Sequence, residues 1–138
     1  MATNNCAMYG AHASPTKLVV PVKADAVIDQ GNLVVLDSTG YAIQAIEATG
    51  LLSVGRAEQS VDATGLASGA LTVECRLGAM KLKNSTAGDL IGVTELLKDV
   101  YIVSGTTVAK TSGGATRSIG GKLLVIESDG VVVSVGPR

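Results

Sequence analysis

The chain has 138 residues, of which 46% are hydrophobic and only 17% charged, with a formal net charge of -1. One histidine, no tryptophan and no phenylalanine leave little material for common enzyme sites, sugar-stacking platforms or nucleic-acid surfaces. The apolar fraction is almost wholly Ala, Val, Leu and Ile, the side chains that fit closely packed pleated sheets.

With no basic stripe and a pI near 5.7, the chain is not expected to bind nucleic acid. No apolar run approaches the roughly 18 residues of a membrane helix, and no membrane contact is expected. Met1-Ala2-Thr3-Asn4-Asn5 has neither the basic nor the apolar region of a signal peptide, so the expected product is soluble and made in the cytoplasm. Cys6, Cys75 and His12 are too few soft ligands for a zinc site, and no metal or cofactor is expected. Both cysteines read as free thiols in a reducing compartment.

Residues 1–16 mix Asn, Ala, Gly and Ser without a period of 2 or 3.6. They are expected to form an irregular arm ahead of a single β-rich domain over residues 17–138. Leu18-Val19-Val20-Pro21-Val22 predicts a strand that Pro21 restricts to an edge or an end. Leu33-Val34-Val35-Leu36 and Tyr41-Ala42-Ile43-Gln44-Ala45-Ile46 flank the turn Asp37-Ser38-Thr39-Gly40 and predict a hairpin. Residues 51–57 predict a strand interrupted by Gly55, followed by a loop framed by Asp62-Ala63-Thr64-Gly65 and Ser68-Gly69. From Leu71 to Leu77 apolar and polar residues alternate, the mark of a half-buried strand. Cys75 falls on its apolar face and reads as a small buried hydrophobe.

Thr94-Glu95-Leu96-Leu97-Lys98 is the only helix-like piece, one or two turns long and dependent on packing. Val100-Tyr101-Ile102-Val103 and Thr106-Thr107-Val108-Ala109 predict a tight hairpin through Ser104-Gly105. Residues 110–121 read as a polar, glycine-bearing loop. Its Gly113-Gly114 and Gly120-Gly121 lack the Lys-Ser/Thr ending and the following helix of a phosphate-binding loop. Leu123-Leu124-Val125-Ile126 and Val131-Val132-Val133-Ser134-Val135 predict a closing hairpin whose joint contains Asp129-Gly130. Tyr41 and Tyr101 are placed in strands at the edge of the core. The predicted fold class is all-β, a small antiparallel β-barrel or sandwich with an irregular N-terminal arm and at most one short helix.

His12 has no carboxylate or hydroxyl at a motif spacing, and the twelve acidic residues are scattered rather than paired or laddered. No catalytic residue is assigned.

Several stretches carry a resemblance. They are Val54-Gly55-Arg56-Ala57, Val61-Asp62-Ala63-Thr64-Gly65, Asp99-Val100-Tyr101-Ile102-Val103 and Thr107-Val108-Ala109-Lys110. The series continues through Thr116-Arg117 and Gly121-Lys122-Leu123-Leu124-Val125 to Asp129-Gly130-Val131-Val132-Val133. In this order they resemble the capsid cement, or head decoration, proteins of tailed bacteriophages over residues 30–136. Ala63-Thr64 stands where that family has Asn, Ser104-Gly105 replaces an acidic hairpin turn, and Val132 or its neighbour replaces a tryptophan. The resemblance implies a virion protein on the outer surface of the expanded head, binding the major capsid protein and associating with copies of itself, a trimer before a dimer.

The polar arm supplies the expected capsid contact: Ala2, Thr3, Asn4, Asn5, Tyr9, His12 and Lys17, with Tyr9 as anchor because aromatic residues favour interface centres. Two other classes fit the composition less well. A carbohydrate-binding or adhesive module would need more aromatic rings. A hydrolase would need a pocket with converging polar groups.

Overall fold

The structure, a computed structural model, describes residues 16–136. These residues form strands β1 (Lys17–Pro21), β2 (Val27–Ile28), β3 (Leu33–Leu36), β4 (Ala42–Gln44), β5 (Leu52–Ala57) and β6 (Val61–Asp62). The second half adds β7 (Thr72–Arg76), β8 (Gly78–Leu82), β9 (Asp99–Ile102), β10 (Val108–Ala109), β11 (Ile119–Glu127) and β12 (Gly130–Val135). The fold is all-β and antiparallel, as the sequence predicts. Sheet I has the order β1-β7-β5-β3-β4, sheet II the order β10-β9-β11-β12-β8, and β2 pairs with β6 in a small ribbon.

Two apolar clusters fix the layers. Leu33 and Val35 of β3 join Met80, Leu82, Val100, Ile102, Leu123 and Val133 between the two large sheets. Val34 points the other way and joins Val20, Ile28, Val54, Val61, Val73 and Cys75 beneath the ribbon. Successive side chains of a strand face opposite sides of the sheet, so the unbroken apolar run of β3 reflects a sheet buried on both faces.

The β3–β4 hairpin forms over the expected turn. The Thr39 backbone N–H donates to Asp37 Oδ1 at 2.9 Å, closing a local side-chain turn. Lys23 also binds Asp37, and that ammonium, followed by the Thr39 hydroxyl, holds the carboxyl well below its usual range. Pro21 ends β1, which lies at the edge of sheet I, where a missing N–H interrupts no ladder.

Several elements differ from expectation. Strand β8 carries no local signal of its own, because no turn of several polar residues separates it from β7. The chain instead passes from sheet I to sheet II at Gly78, whose φ of +104° few other residues adopt. The loop expected over residues 110–121 is shorter, since β11 already begins at Ile119. Tyr41 lies just outside β4, while Tyr101 lies within β9.

The expected helical piece at residues 94–98 is one 3-10 turn, Val93–Glu95, and a second such turn forms at Ala87–Asp89. Leu97 N–H donates to Leu123 O at 2.8 Å and Leu123 N–H to Lys98 O at 3.0 Å. Pairing with β11 therefore straightens the chain before a second helical turn can form.

Two consequences can be measured. A Cβ at Gly121 would lie 2.1 Å from Ser134 O and 2.7 Å from Val133 Cγ1, both in the packed β11–β12 pair. Gly121→Ala is expected to destabilise the fold by about 1–3 kcal/mol, read as a lower midpoint in urea. Cys75 is fully buried, and burial first, then the Glu58 and Glu74 carboxylates, push its thiol from 9.0 up to about 11. The protonated form is the one the fold favours. Its contribution is intact below pH 9 and is lost as pH rises through 11, a fall of about 3 kcal/mol. Denaturation midpoints of the native chain and of Cys75→Ala should therefore converge across that window.

Candidate functional site

Of the residues expected to touch a partner, Ala2, Thr3, Asn4, Asn5, Tyr9 and His12 lie outside the described residues. Lys17 is described. It opens β1 on an exposed sheet edge, with its ammonium 3.9 Å from Glu74. Leu18 beside it leads to a feature the sequence does not announce.

That feature is an open groove of about 890 Å³ where the rims of the two sheets meet. Its floor is the start of β5, Leu51 to Val54. Leu18 and Leu36 from sheet I form one wall, and Tyr101 and Ile119 from sheet II form the other. Tyr101 and Ile119 are direct cross-strand partners in the β9–β11 pair, so their side chains stand together on one face. Leu52 is 66% exposed at the centre.

The groove is held open by polar ties. Ser118, the buried polar residue among those described, donates its hydroxyl proton to Ala48 O at 2.6 Å. Ser118 Oγ in turn accepts the Leu51 N–H at 3.0 Å, fixing the start of β5 to the start of β11. At the far end the Ser53 hydroxyl accepts the Gly136 N–H at 3.4 Å.

Charged groups on the rim are already engaged. Arg117 Nε donates to Glu47 Oε2 at 2.6 Å, and its NH1 donates to Thr111 O at 3.1 Å and lies 3.3 Å from Asp89. Glu47 chiefly holds the guanidinium in its charged form. The Thr111 hydroxyl first, then Arg117, keep the Asp89 carboxyl below its ordinary range. Lys122 and Asp99, cross-strand partners in β11 and β9, meet at 2.8 Å. The rim is thus electrically balanced around an apolar floor, an arrangement that favours an uncharged, apolar occupant over an ionic one.

Beyond Lys122 and Asp99 the same face of sheet II continues to Leu124 and to the loop at residues 90–97. Val93 and Leu97 there are 74% and 72% exposed. Sequence reading placed Leu96 and Leu97 in a packed helical turn, whereas both face solvent. Nothing in the pattern of this stretch signals that outcome, since it depends on hydrogen bonds to a strand 26 residues further along the chain. Among the described residues no group of three or more His, Cys, Asp or Glu side chains is placed to hold a metal ion.

Comparison with protein-family models, with curated proteins and with solved structures finds no significant match to this chain, so the functional reading rests on its own residues and surface.

Proposed function

We propose that the protein is a structural virion component that binds the outside of an assembled phage head and stabilises contacts between major capsid subunits. The observation that carries this reading is the open groove, lined by Leu18, Leu36, Leu52, Tyr101 and Ile119 and ringed by ion pairs that satisfy one another. A surface of this kind loses little when a neighbouring protein covers it, because its charges bring their partners with them and its apolar floor gains from leaving water. The resemblance of residues 30–136 to cement proteins supplies the identity of that neighbour.

The mechanism is thermodynamic. A ligand that binds the expanded lattice and not its separated subunits stabilises the lattice by mass action. Many symmetry-related copies repeat the effect without any strong individual contact. The polar arm, residues 2–16, which precedes β1 in the chain, contributes a second contact.

Capsids expanded in the absence of the protein provide the test. Purified protein should co-sediment with them saturably and raise their rupture temperature. The double substitution Leu52→Asp with Ile119→Asp should weaken occupancy at least tenfold, the equivalent of about 1.4 kcal/mol, while leaving the fold intact. Deleting residues 2–16 should lower occupancy as well. A well-folded native chain that fails to bind overturns the reading and turns attention to a glycan screen.

A further inference from the structure

We propose that Val93, Leu96, Leu97, Leu124 and Val125 form the contact through which two copies of this chain associate about a two-fold axis. This inference is independent of the capsid reading. It begins with one side chain. Leu97 has φ +64°, a left-handed conformation that costs a bulky residue roughly 1–2 kcal/mol. Glycine would make the same Leu123 hydrogen bond without strain, and the leucine side chain gains no burial in the isolated chain, being 72% exposed.

The neighbouring residues repeat the pattern. Hydrogen bonds between residues 97–98 and Leu123 lay the loop alongside β11. A β-bulge between Leu123 and Val125 inserts Leu124 there, so that Leu124 and Val125 both reach solvent. Two local irregularities in adjacent segments thus turn apolar side chains outward on one surface.

The surface is built rather than frayed. Asn84 clamps Ile91 from both sides, its Oδ1 accepting the Ile91 N–H at 2.9 Å and its Nδ2 donating to Ile91 O at 3.1 Å. Glu95 Oε1 accepts the Gly92 N–H at 2.8 Å, and Ile91 itself is anchored in the core. A loop fixed in this way has little ordering entropy left to lose on binding.

Area and charge identify the occupant as a second copy. The five side chains expose on the order of 500 Å² of apolar surface. One side of a standard interface buries roughly 800 Å², of which somewhat more than half is apolar, so the patch matches half of a dimer contact. Glu95 and Lys98 bracket Leu96 and Leu97 with opposite signs. A two-fold axis through this point sets Glu95 of each copy opposite Lys98 of the other, as an isologous contact requires.

Sedimentation equilibrium of the full-length chain over a wide concentration range tests this directly. A dimer is expected. Leu97→Gly removes the side chain and relieves its backbone, so it should raise the dimer dissociation constant at least tenfold with an unchanged or higher melting temperature. Lys98→Glu, which leaves the Glu95 ties to the loop in place, should weaken association by setting like charges together across the axis. A chain that stays monomeric overturns the inference, as does a trimer or any oligomer indifferent to Leu97→Gly. If the monomeric chain binds capsids and Leu97→Gly abolishes that binding, the patch belongs to the capsid and the inference fails.

Discussion

Leu33, Val34 and Val35 are consecutive residues of β3 with no access to water, on alternating faces of one sheet. Such a strand is stable only if both faces of its sheet are covered. Sheet II covers one face. The β2–β6 ribbon, small as it is, helps cover the other, with Ile28 and Val61 over Val34 and Val73. The protein is therefore a sandwich with a third partial layer, and the position of β3 between two cores explains why so few large side chains suffice. Valine and alanine fill thin layers where phenylalanine would force the sheets apart.

Much of this was legible. Hairpins flanked by turn residues, at Asp37 to Gly40 and at Asp129-Gly130, form where the local chemistry places them. The alternation from Leu71 to Leu77 puts Val73 and Cys75 inside. What could not be read were features decided by distant contacts. Strand β8 follows β7 without punctuation. Strands β2 and β6 are too short to carry a period. The groove brings together residues as distant in the chain as Leu18, Leu52 and Ile119, and the outward turn of Leu97 is imposed by Leu123. Local sequence carries no trace of these, since each depends on which segments meet.

The exposed face of sheet II carries both apolar surfaces of the molecule described above. Its apolar parts, the groove and the leucine-rich patch, are separated by the Lys122–Asp99 pair. Internal pairing of the rim charges makes the surface indifferent to the sign of whatever approaches. Selectivity must then come from shape and apolar fit, which vary little with salt, rather than from long-range attraction, which salt screens. Any association through such a surface holds across a broad range of ionic conditions.

The passage at Gly78 has a mechanical meaning. Strands β7 and β8 are one nearly continuous run of chain that is hydrogen-bonded into sheet I at its beginning and sheet II at its end. Neither sheet can swing away from the other without bending or breaking that run. The two sheets are laced together rather than merely pressed together, so a force pulling on the groove side is shared by both ladders at once. Rupture of the domain then becomes a single high-threshold event instead of a gradual peeling of layers.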